Sequence, residues 1–331
     1  MAWSKLAWRH RWRANGPNSG LKHERRVSAS IGKRSATVQI VLNPRAGQGR
    51  AVALIEPLLA GLKMRGYRPS VLVTKNRADA RRWAKDCQFP AEYLICLGGD
   101  DTLDDLAEAA IKHQIPIIST PLGYGNVCPQ AFGHRADVPA ILDVLEADRR
   151  IDIDVGLWQG GSGTTRFFLA VTIYGFIETI KEMGEAGIDR AGDVRRFIGY
   201  LLATARWLSL GQALPSVAIE VDGVTISQGT ALAIVANLPV FPGKLVFTRD
   251  ADPRDGLLDI CVIPGDTKRA LLAALCSLLL GTPSADRRIL RRKGRVVRIQ
   301  PPAAGAHALA LDGRLETLTV LPRVLSVLVP R

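Results

Sequence analysis

From residue 37 onward, short β-branched runs alternate with stretches in which apolar residues recur at helical spacing. This alternation predicts strands separated by helices, which fold as parallel βαβ units with right-handed crossovers. The predicted strands are Thr37–Leu42, Ser70–Thr74, Glu92–Leu97 and Pro116–Ser119, and the predicted helices are Arg50–Arg65, Ala78–Cys87, Leu103–His113 and Val138–Ala147. Residues 37–150 are therefore predicted to form a doubly wound α/β domain.

The pattern changes after residue 150, where predicted strands follow one another with few helices between them. The strands are Ile151–Leu157, Thr165–Ile173, Ser216–Val221, Thr225–Ser227, Leu232–Asn237, Leu258–Ile263, Arg295–Ile299 and Ala306–Leu311, and the helices are Val194–Ser209 and Lys268–Leu280. Residues 151–331 are thus predicted to form a second, β-rich domain. Whether its last strand stays there or returns to the first domain is left open.

The charge of the chain is strongly basic, with 44 Lys and Arg against 31 Asp and Glu and a net charge of +13. Residues 1–36 hold nine basic residues and one acidic residue, and they are predicted to be a disordered basic tail, with a weak contact at a membrane surface as the alternative. Such an excess favours anionic partners. A second basic cluster, Arg287–Arg298, carries no recognised nucleic-acid module, so we expect contact with an anionic membrane surface and no nucleic acid. A solvated basic strand and turn is the alternative for that cluster.

The cysteines and the hydropathy of the chain indicate the cellular compartment in which the protein is expected. The five cysteines have no C-x-x-C spacing, which argues against a zinc site or a disulfide framework and favours a reducing compartment. No apolar run reaches the length of a membrane span. We therefore expect a cytoplasmic protein that associates peripherally with the membrane. The apolar helix Lys268–Leu280 is expected to lie in the core, with partial membrane insertion as the alternative.

Three predicted strands end in glycine-rich loops, Asn43–Arg50, Gly98–Thr102 and Pro121–Asn126. Glycines let the backbone approach a ligand closely, and a helix N-terminus after each loop adds partial positive charge. Because parallel strands deliver their carboxyl ends to one edge of the sheet, the three loops predict a phosphate-containing ligand there. None of them is a P-loop or a dinucleotide fingerprint.

The sequence Gly98–Thr102 (GGDDT) resembles the G-G-D-G-T loop shared by diacylglycerol kinase catalytic domains, sphingosine kinases and NAD kinases. Other segments match in order along residues 37–331 and favour the lipid kinases. They are Asn43-Pro44 with Gly47 and Gly49, Thr74 after the second strand, Asp255–Asp259 (DGLLD), Leu311–Gly313 and the closing Pro322–Pro330. The chain thus resembles the diacylglycerol kinase catalytic-domain family.

The resemblance implies a Rossmann-like nucleotide-binding domain followed by a β-sandwich, with ATP and Mg²⁺ as cofactors and a lipid as substrate. It places ATP against Thr74, Gly98, Gly99, Asp100, Asp101, Thr102, Leu103, Asp104 and Tyr124. It makes Asp312 the general base for the lipid hydroxyl. It assigns Mg²⁺ to Asp252, Asp255 and the carbonyl of Leu257, which are the oxygen ligands that Mg²⁺ prefers.

The chain departs from the family pattern around the nucleotide. Asp101 replaces a Gly, Asp104 an Asn, Tyr124 a Thr, Val127 an Asp and Arg314 a Glu. At about 5 Å and an effective dielectric near 20, a carboxylate at Asp101 repels one phosphate charge by roughly 3 kcal/mol. A positive φ at this position would add strain.

Three hypotheses follow from these departures. In the first, Arg314 or a bound cation neutralises Asp101, and the protein is an ATP-dependent kinase for a diacylglycerol-like or sphingoid lipid. In the second, nucleotide binding is impaired and the protein binds lipid or a regulatory partner. The third is an NAD kinase, against which the DGLLD segment and the Asp312-Gly313 hairpin argue. A homo-oligomer is left open in all three.

Overall fold

The computed structural model describes the chain in segments, namely 35–87, 91–123, 125–175, 207, 217–239, 248, 250–265, 267–279, 289–300 and 315–331. Residues 35–331 cluster as one compact unit. Apart from residues 35 and 36, the predicted basic tail lies outside the described residues.

The first half of this unit alternates strands and helices, as the sequence predicts. The strands are β1 (Thr37–Leu42), β2 (Arg68–Val73), β3 (Tyr93–Leu97) and β4 (Ile117–Ile118). The helices are α1 (Arg50–Met64), α2 (Arg77–Asp86), α3 (Asp100–Lys112), α4 (Val127–Phe132) and α5 (Val138–Ala147), with a 3-10 turn at Ala46–Gly49 before α1.

These four strands pair in parallel in the order β2-β1-β3-β4. Successive side chains of a strand enter opposite faces of the sheet. In β1, Ile40 packs with Leu58 of α1 and with α5 on one face, while Val41 packs with Leu103 and Leu106 of α3 on the other. Helices therefore cover both faces, and the predicted doubly wound α/β architecture is confirmed.

The second half is dominated by strands. They are β5 (Arg150–Gln159), β6 (Thr165–Phe168), β7 (Val171–Gly175), β8 (Val217–Val221), β9 (Val224–Ala236), β10 (Leu258–Pro264), β11 (Leu290–Gly294), β12 (Val296–Gln300) and β13 (Glu316–Leu328), with helix α6 at Lys268–Leu279. Antiparallel pairs give the order β11-β10-β9-β8-β12-β13, while β7 also pairs with β9. A separate apolar core forms from these strands.

Strand β13 joins the two halves into one sheet. Near its end, Val327 pairs in parallel with Ile117 of β4, and most of its length pairs antiparallel with β5. The ladder to β5 shifts register between Leu321 and Leu325. The closing strand thus lies beside the parallel strands, whereas the division of the chain into domains at residue 150 stays a prediction.

Several predicted elements differ in detail from the structure. The predicted strand Thr165–Ile173 is divided into β6 and β7, because the backbone of the two residues between them bonds to Asp104 and Asn237 instead. Thr225–Ser227 and Leu232–Asn237 belong to the single long strand β9. Helix α4 is not among the predicted elements, and β11 lies in the basic segment for which a strand and turn was the alternative. The predicted strand Ala306–Leu311 lies outside the described residues, as does the predicted helix 194–209 apart from Trp207.

Candidate functional site

The loops after β3 and β4 lie against each other at the carboxyl edge of the parallel strands. A Cβ atom built on Gly99 would lie 2.8 Å from the Cα of Gly123, and one built on Gly123 would lie 2.5 Å from the Cα of Gly99. Both distances are too short for a side chain, so the two backbones meet only because both positions are glycine. The side-chain amide of Asn126 accepts a hydrogen bond from the Gly123 N–H at 2.6 Å and closes the second loop.

A cavity of about 270 Å³ opens where β1, β2 and β3 end. Its lining residues are Asn43, Arg45, Thr74, Lys75, Asn76, Arg77, Ala80, Thr102 and Asp105. Three of these side chains are cationic and one is a carboxylate, so the cavity favours an anionic ligand. This cavity is the candidate functional site.

Two threonines define the floor of the candidate site. Thr74 follows β2 directly and is buried, with its hydroxyl donating to the Leu42 carbonyl at 3.2 Å. Thr102 lies in the first turn of α3 and is also buried. Its side chain fills the space beside Gly98, where an added Cβ would lie 2.8 Å away. Of the predicted nucleotide contacts, Thr74 and Thr102 therefore line one cavity, with Gly98 packed behind Thr102.

Arg77 connects α2 to the start of α3 beside the cavity. Its guanidinium donates to both carboxylate oxygens of Asp105, at 2.9 and 3.1 Å, and to Asp101 at 3.2 Å. Arg81 adds a further bond to Asp105 at 2.7 Å. Asp105 is buried, whereas 77% of the Asp101 side chain is exposed. The guanidinium of Arg77 thus pairs with the carboxylate of Asp101, the residue that replaces the family's glycine.

Asp101 itself shows no backbone strain. It belongs to α3, and its φ angle is not positive. A carboxylate in the first turn of a helix is stabilised by the helix dipole. The strain considered from the sequence therefore does not arise, and the charge of Asp101 is the departure that matters.

Two other predicted nucleotide contacts direct their carboxylates into the protein. Asp100 accepts hydrogen bonds from the backbone N–H groups of Val127 and Cys128, at 2.8 and 2.9 Å, and so joins α3 to α4. Asp104 accepts from the Leu169 N–H at 2.9 Å. Burial raises the pKa of Asp100, and it raises the pKa of Asp104 well above its usual range, in both cases against hydrogen bonds that lower it. Both carboxylates join parts of the fold.

Leu103, the remaining predicted contact in this segment, is a core residue of α3. Tyr124, the general-base candidate Asp312 and Arg314 lie outside the described residues. Their roles stay predictions.

The predicted metal ligands lie in a turn before β10, where a lysine contacts one of them, Asp255. The Lys293 ammonium lies 2.8 Å from one oxygen of Asp255, and the other oxygen accepts a hydrogen bond from the Leu257 N–H at 3.0 Å. Asp252 accepts from the Arg254 N–H at 3.1 Å. Across the described ranges, no group of three or more His, Cys, Asp or Glu side chains is placed to hold a metal ion.

Sequence reasoning missed the cationic wall of the cavity. The helix predicted at Ala78–Cys87, to which no role was given, begins one residue earlier in the structure and so includes Arg77 as well as Arg81. Lys75 and Asn76 precede it directly. Asn76 caps that helix by accepting from the Asp79 N–H at 3.0 Å. The signal was available, because cations that follow the end of a parallel strand lie at the ligand edge of the sheet.

Together these features define a two-part α/β protein with a cationic pocket at the carboxyl edge of its parallel strands. Comparison with known families identifies residues 37–158 as a diacylglycerol kinase catalytic domain and residues 186–331 as a YegS C-terminal NAD kinase beta sandwich-like domain. The chain belongs to the diacylglycerol kinase catalytic-domain family of lipid kinases.

Individual relatives agree with this assignment. A diacylglycerol kinase of Mycobacterium tuberculosis is 27% identical over 309 residues, which cover 91% of this chain and 96% of the relative. A probable lipid kinase YegS-like of Pseudomonas fluorescens is 27% identical over 76% of this chain and 79% of its own. A crystal structure of a putative diacylglycerol kinase from Bacillus anthracis covers 89% of this chain and 97% of its own, with a TM-score of 0.63 and 19% identity, and shows the same fold.

Within the part of the chain that the structure describes, no helix is both long enough and apolar enough to cross a bilayer.

Proposed function

We propose that this protein is an ATP-dependent kinase that transfers the γ-phosphoryl group to the hydroxyl of a diacylglycerol-like or sphingoid lipid. The observation that carries the proposal is the cationic cavity at the ends of β1, β2 and β3, lined by Thr74 and Thr102. Family membership supplies the lipid kinase chemistry. The relatives named as diacylglycerol kinase and as sphingoid long-chain bases kinase define the two classes of acceptor to be tested.

In this proposal the triphosphate lies in the cavity beside Thr102, in the first turn of α3, which follows the Gly98-Gly99 loop. The backbone at a glycine loop and helix N-terminus presents N–H groups to phosphate oxygens. Arg77 and Lys75 neutralise charge on the polyphosphate, and Mg²⁺ arrives with ATP as part of the substrate. Such positioning and charge neutralisation account for most of phosphoryl-transfer catalysis.

The acceptor half of the mechanism rests on the resemblance. Asp312 is proposed to accept the proton from the lipid hydroxyl, and Tyr124 is proposed to contact the nucleotide. A general base must lie within hydrogen-bond reach of the hydroxyl that it deprotonates. The DGLLD and Asp-Gly segments favour a lipid acceptor over NAD.

The Arg77–Asp101 contact favours an active enzyme over an impaired relative. A carboxylate that is mostly exposed and already paired repels a phosphate far less than an isolated one, by about 1 kcal/mol or less. An aspartate at position 101, where the family has glycine, therefore weakens nucleotide binding without abolishing it. Saturable binding of Mg·ATP by the purified protein is the expected result, and its absence at millimolar nucleotide would remove the kinase function.

The test is transfer of label from γ-labelled ATP into a total lipid extract. The intact protein should label a lipid, and Asp312→Asn should lose that activity by several orders of magnitude. Asp143→Asn, an exposed change on α5, is the matched control and should retain it. Label that enters lipid equally with Asp312→Asn would contradict the mechanism. Formation of NADP instead would establish the NAD kinase alternative.

We further propose that the protein acts in the cytoplasm at an anionic membrane surface. Arg292 and Arg295 are exposed at and just beyond edge strand β11. Each cation near such a surface contributes about 1 kcal/mol of attraction. Co-sedimentation with anionic but not zwitterionic vesicles is the expected outcome.

A further inference from the structure

Lys293 lies on edge strand β11, directly opposite Asp259 of β10. Its ammonium group reaches the turn that precedes β10. It lies 2.8 Å from Asp255 Oδ2 and 3.2 Å from both Asp259 Oδ2 and the Asp250 carbonyl. The ammonium donates hydrogen bonds to Asp255 Oδ2 and the Asp250 carbonyl, and its contact with Asp259 Oδ2 is an ion pair.

This group of contacts lies at the surface and is only partly covered. The exposed fraction is 35% for the Lys293 side chain, 28% for Asp255 and 11% for Asp259. Charge interactions strengthen as water is removed from around them. Because it is partly covered and contacts three oxygens, the ammonium is bound to this turn more firmly than a lysine in a single, fully exposed ion pair.

The predicted Mg²⁺ ligands do not fit a metal ion in this arrangement. Mg²⁺ requires oxygen ligands at about 2.1 Å in octahedral geometry. One oxygen of Asp255 faces Lys293 and the other faces the Leu257 N–H, while Asp252 Oδ1 accepts from Arg254. A divalent ion at Asp255 would also be repelled by the neighbouring ammonium. Asp252 Oδ1 and both oxygens of Asp255 are engaged in hydrogen bonds, and no step of the proposed mechanism passes through a metal held there.

We propose that the Lys293 ammonium is the resident cation of the turn at residues 250–257, and that this turn holds its conformation without a divalent metal. The turn is a junction of the molecule. The Asp154 N–H donates to the Pro253 carbonyl at 2.6 Å, and Asp154 Oδ2 accepts from the Gly256 N–H at 2.7 Å. Lys293 therefore connects β11 to a turn that β5 also holds.

The experiment uses the full chain without nucleotide or lipid, so its result is independent of the proposed kinase activity. Thermal unfolding is followed in EDTA and in millimolar Mg²⁺, and Mn²⁺ binding is titrated by electron paramagnetic resonance. Wild type should unfold at the same temperature in both buffers. Lys293→Met should unfold earlier in EDTA and be restored by Mg²⁺, because its vacated oxygens become metal ligands.

The variant should also bind Mn²⁺ roughly tenfold or more tightly than wild type, since a neighbouring positive charge has been removed. Adding Asp255→Asn should abolish the gained binding and locate it. Arg292→Met, an exposed cation on the same strand, is the matched control and should behave as wild type.

Two results would overturn the proposal. One is wild-type protein that is stabilised by Mg²⁺ through Asp255, shown by loss of that stabilisation in Asp255→Asn. The other is Lys293→Met that remains as stable and as insensitive to metal as Arg292→Met. Should Lys293→Met fail to fold in either buffer, the wild-type and Asp255→Asn measurements still decide: metal independence supports the proposal, and metal dependence refutes it.

Discussion

The cavity edge and the turn before β10 both place a protein cation beside an aspartate, but they differ in shelter. At the cavity, 77% of the Asp101 side chain and 49% of Arg77 are exposed. At the turn, 35% of the Lys293 side chain and 28% of the Asp255 side chain are exposed. The more exposed pair contributes little stability and can rearrange around a ligand, whereas the partly covered pair costs more to break. The exposed pair at the cavity is suited to a binding site, and the pair at the turn is suited to holding the structure in place.

The cavity edge is rigid beneath its exposed ion pair, because Gly99 and Gly123 fix the distance between two loops. The largest predicted effect therefore follows from separating them. Gly123→Val places a side chain where the Gly99 backbone lies, and this overpacking should cost about 3 kcal/mol of unfolding free energy. Saturable ATP binding should be lost as well. Chemical denaturation and nucleotide titration measure the two effects.

The control for that change is Gly163→Ala. Gly163 has open space around it and a φ angle of +82°, so alanine should cost only about 1 kcal/mol for its backbone conformation. Equal losses in the two variants would show that the loop contact is not tight. The two loops beside the cavity would then be able to shift, as the exposed Arg77–Asp101 pair can.

A buried histidine represents a third arrangement, in which neutral partners replace a counter-ion. His134 Nδ1 lies 2.8 Å from the Ser119 hydroxyl, and Nε2 lies 2.6 Å from the Leu328 carbonyl. Burial lowers the pKa of His134 to about 4. Because its pKa is higher in the unfolded chain, the unfolded state takes up the proton first. Stability from this group is fully present above pH about 6.5 and is lost as the pH falls toward 4, by about 3 kcal/mol.

The measurement is the free energy of unfolding against pH for wild type and His134→Gln. Burial also raises the pKa of Asp259 to about 6, which gives the opposite slope between about pH 4 and 6. The difference between the two proteins therefore isolates the histidine. Parallel curves for both proteins between pH 4 and 6.5 would show that His134 is not held neutral by the fold.

Most of the parallel sheet was predictable, because its strands are apolar runs separated by helices with regular periodicity. The convergence of glycine loops followed from topology, since the carboxyl ends of parallel strands share an edge. The ion pairs were not predictable in this way. Strand β3 separates Arg77 from Asp101 along the chain, and helix α6 separates Asp255 from Lys293. Whether the partners of each pair meet therefore depends on how these elements pack and pair, which the sequence pattern does not specify.

Some of the nucleotide contacts implied by the resemblance have a different environment in the structure. Asp100 and Asp104 look like ligand contacts in a motif, yet their carboxylates hold α4 and the β6–β7 turn. A motif records which residue types recur and leaves open which way each side chain faces. The sequence offered Arg314 as one cation for Asp101, and the structure places Arg77 there.

The next prediction concerns how far Asp101 limits nucleotide affinity. Asp101→Gly removes one negative charge at the cavity and should strengthen ATP binding by up to about fivefold, which corresponds to roughly 1 kcal/mol. The same change should lower stability by about 1 kcal/mol, because glycine disfavours helix and the carboxylate no longer stabilises the first turn. Affinity and stability should therefore move in opposite directions.

Asp143→Gly is the matched control, since it removes an exposed aspartate from α5. It should reproduce the loss of stability without the gain in affinity. Unchanged ATP affinity in Asp101→Gly would show that Arg77 neutralises the carboxylate completely. Loss of affinity would mean that Asp101 contributes to binding, and the cavity edge would then differ from the turn in function as well as in shelter.

The smallest predicted effect compares the two ion pairs directly by double-mutant cycles, with Arg77→Met and Asp101→Asn in one and Lys293→Met and Asp255→Asn in the other. The exposed pair should show a coupling of about 0.5 kcal/mol that disappears near 1 M salt, where the screening length falls to about 3 Å. Because Lys293 and Asp255 are less exposed than the first pair, their coupling should be larger, about 1 kcal/mol, and should lose less of its size in salt. Both cycles are measured in EDTA, so that no metal replaces the lost ammonium. Equal couplings would mean that shelter does not distinguish the two regions, and the assignment of one to ligand binding and the other to structure would fail.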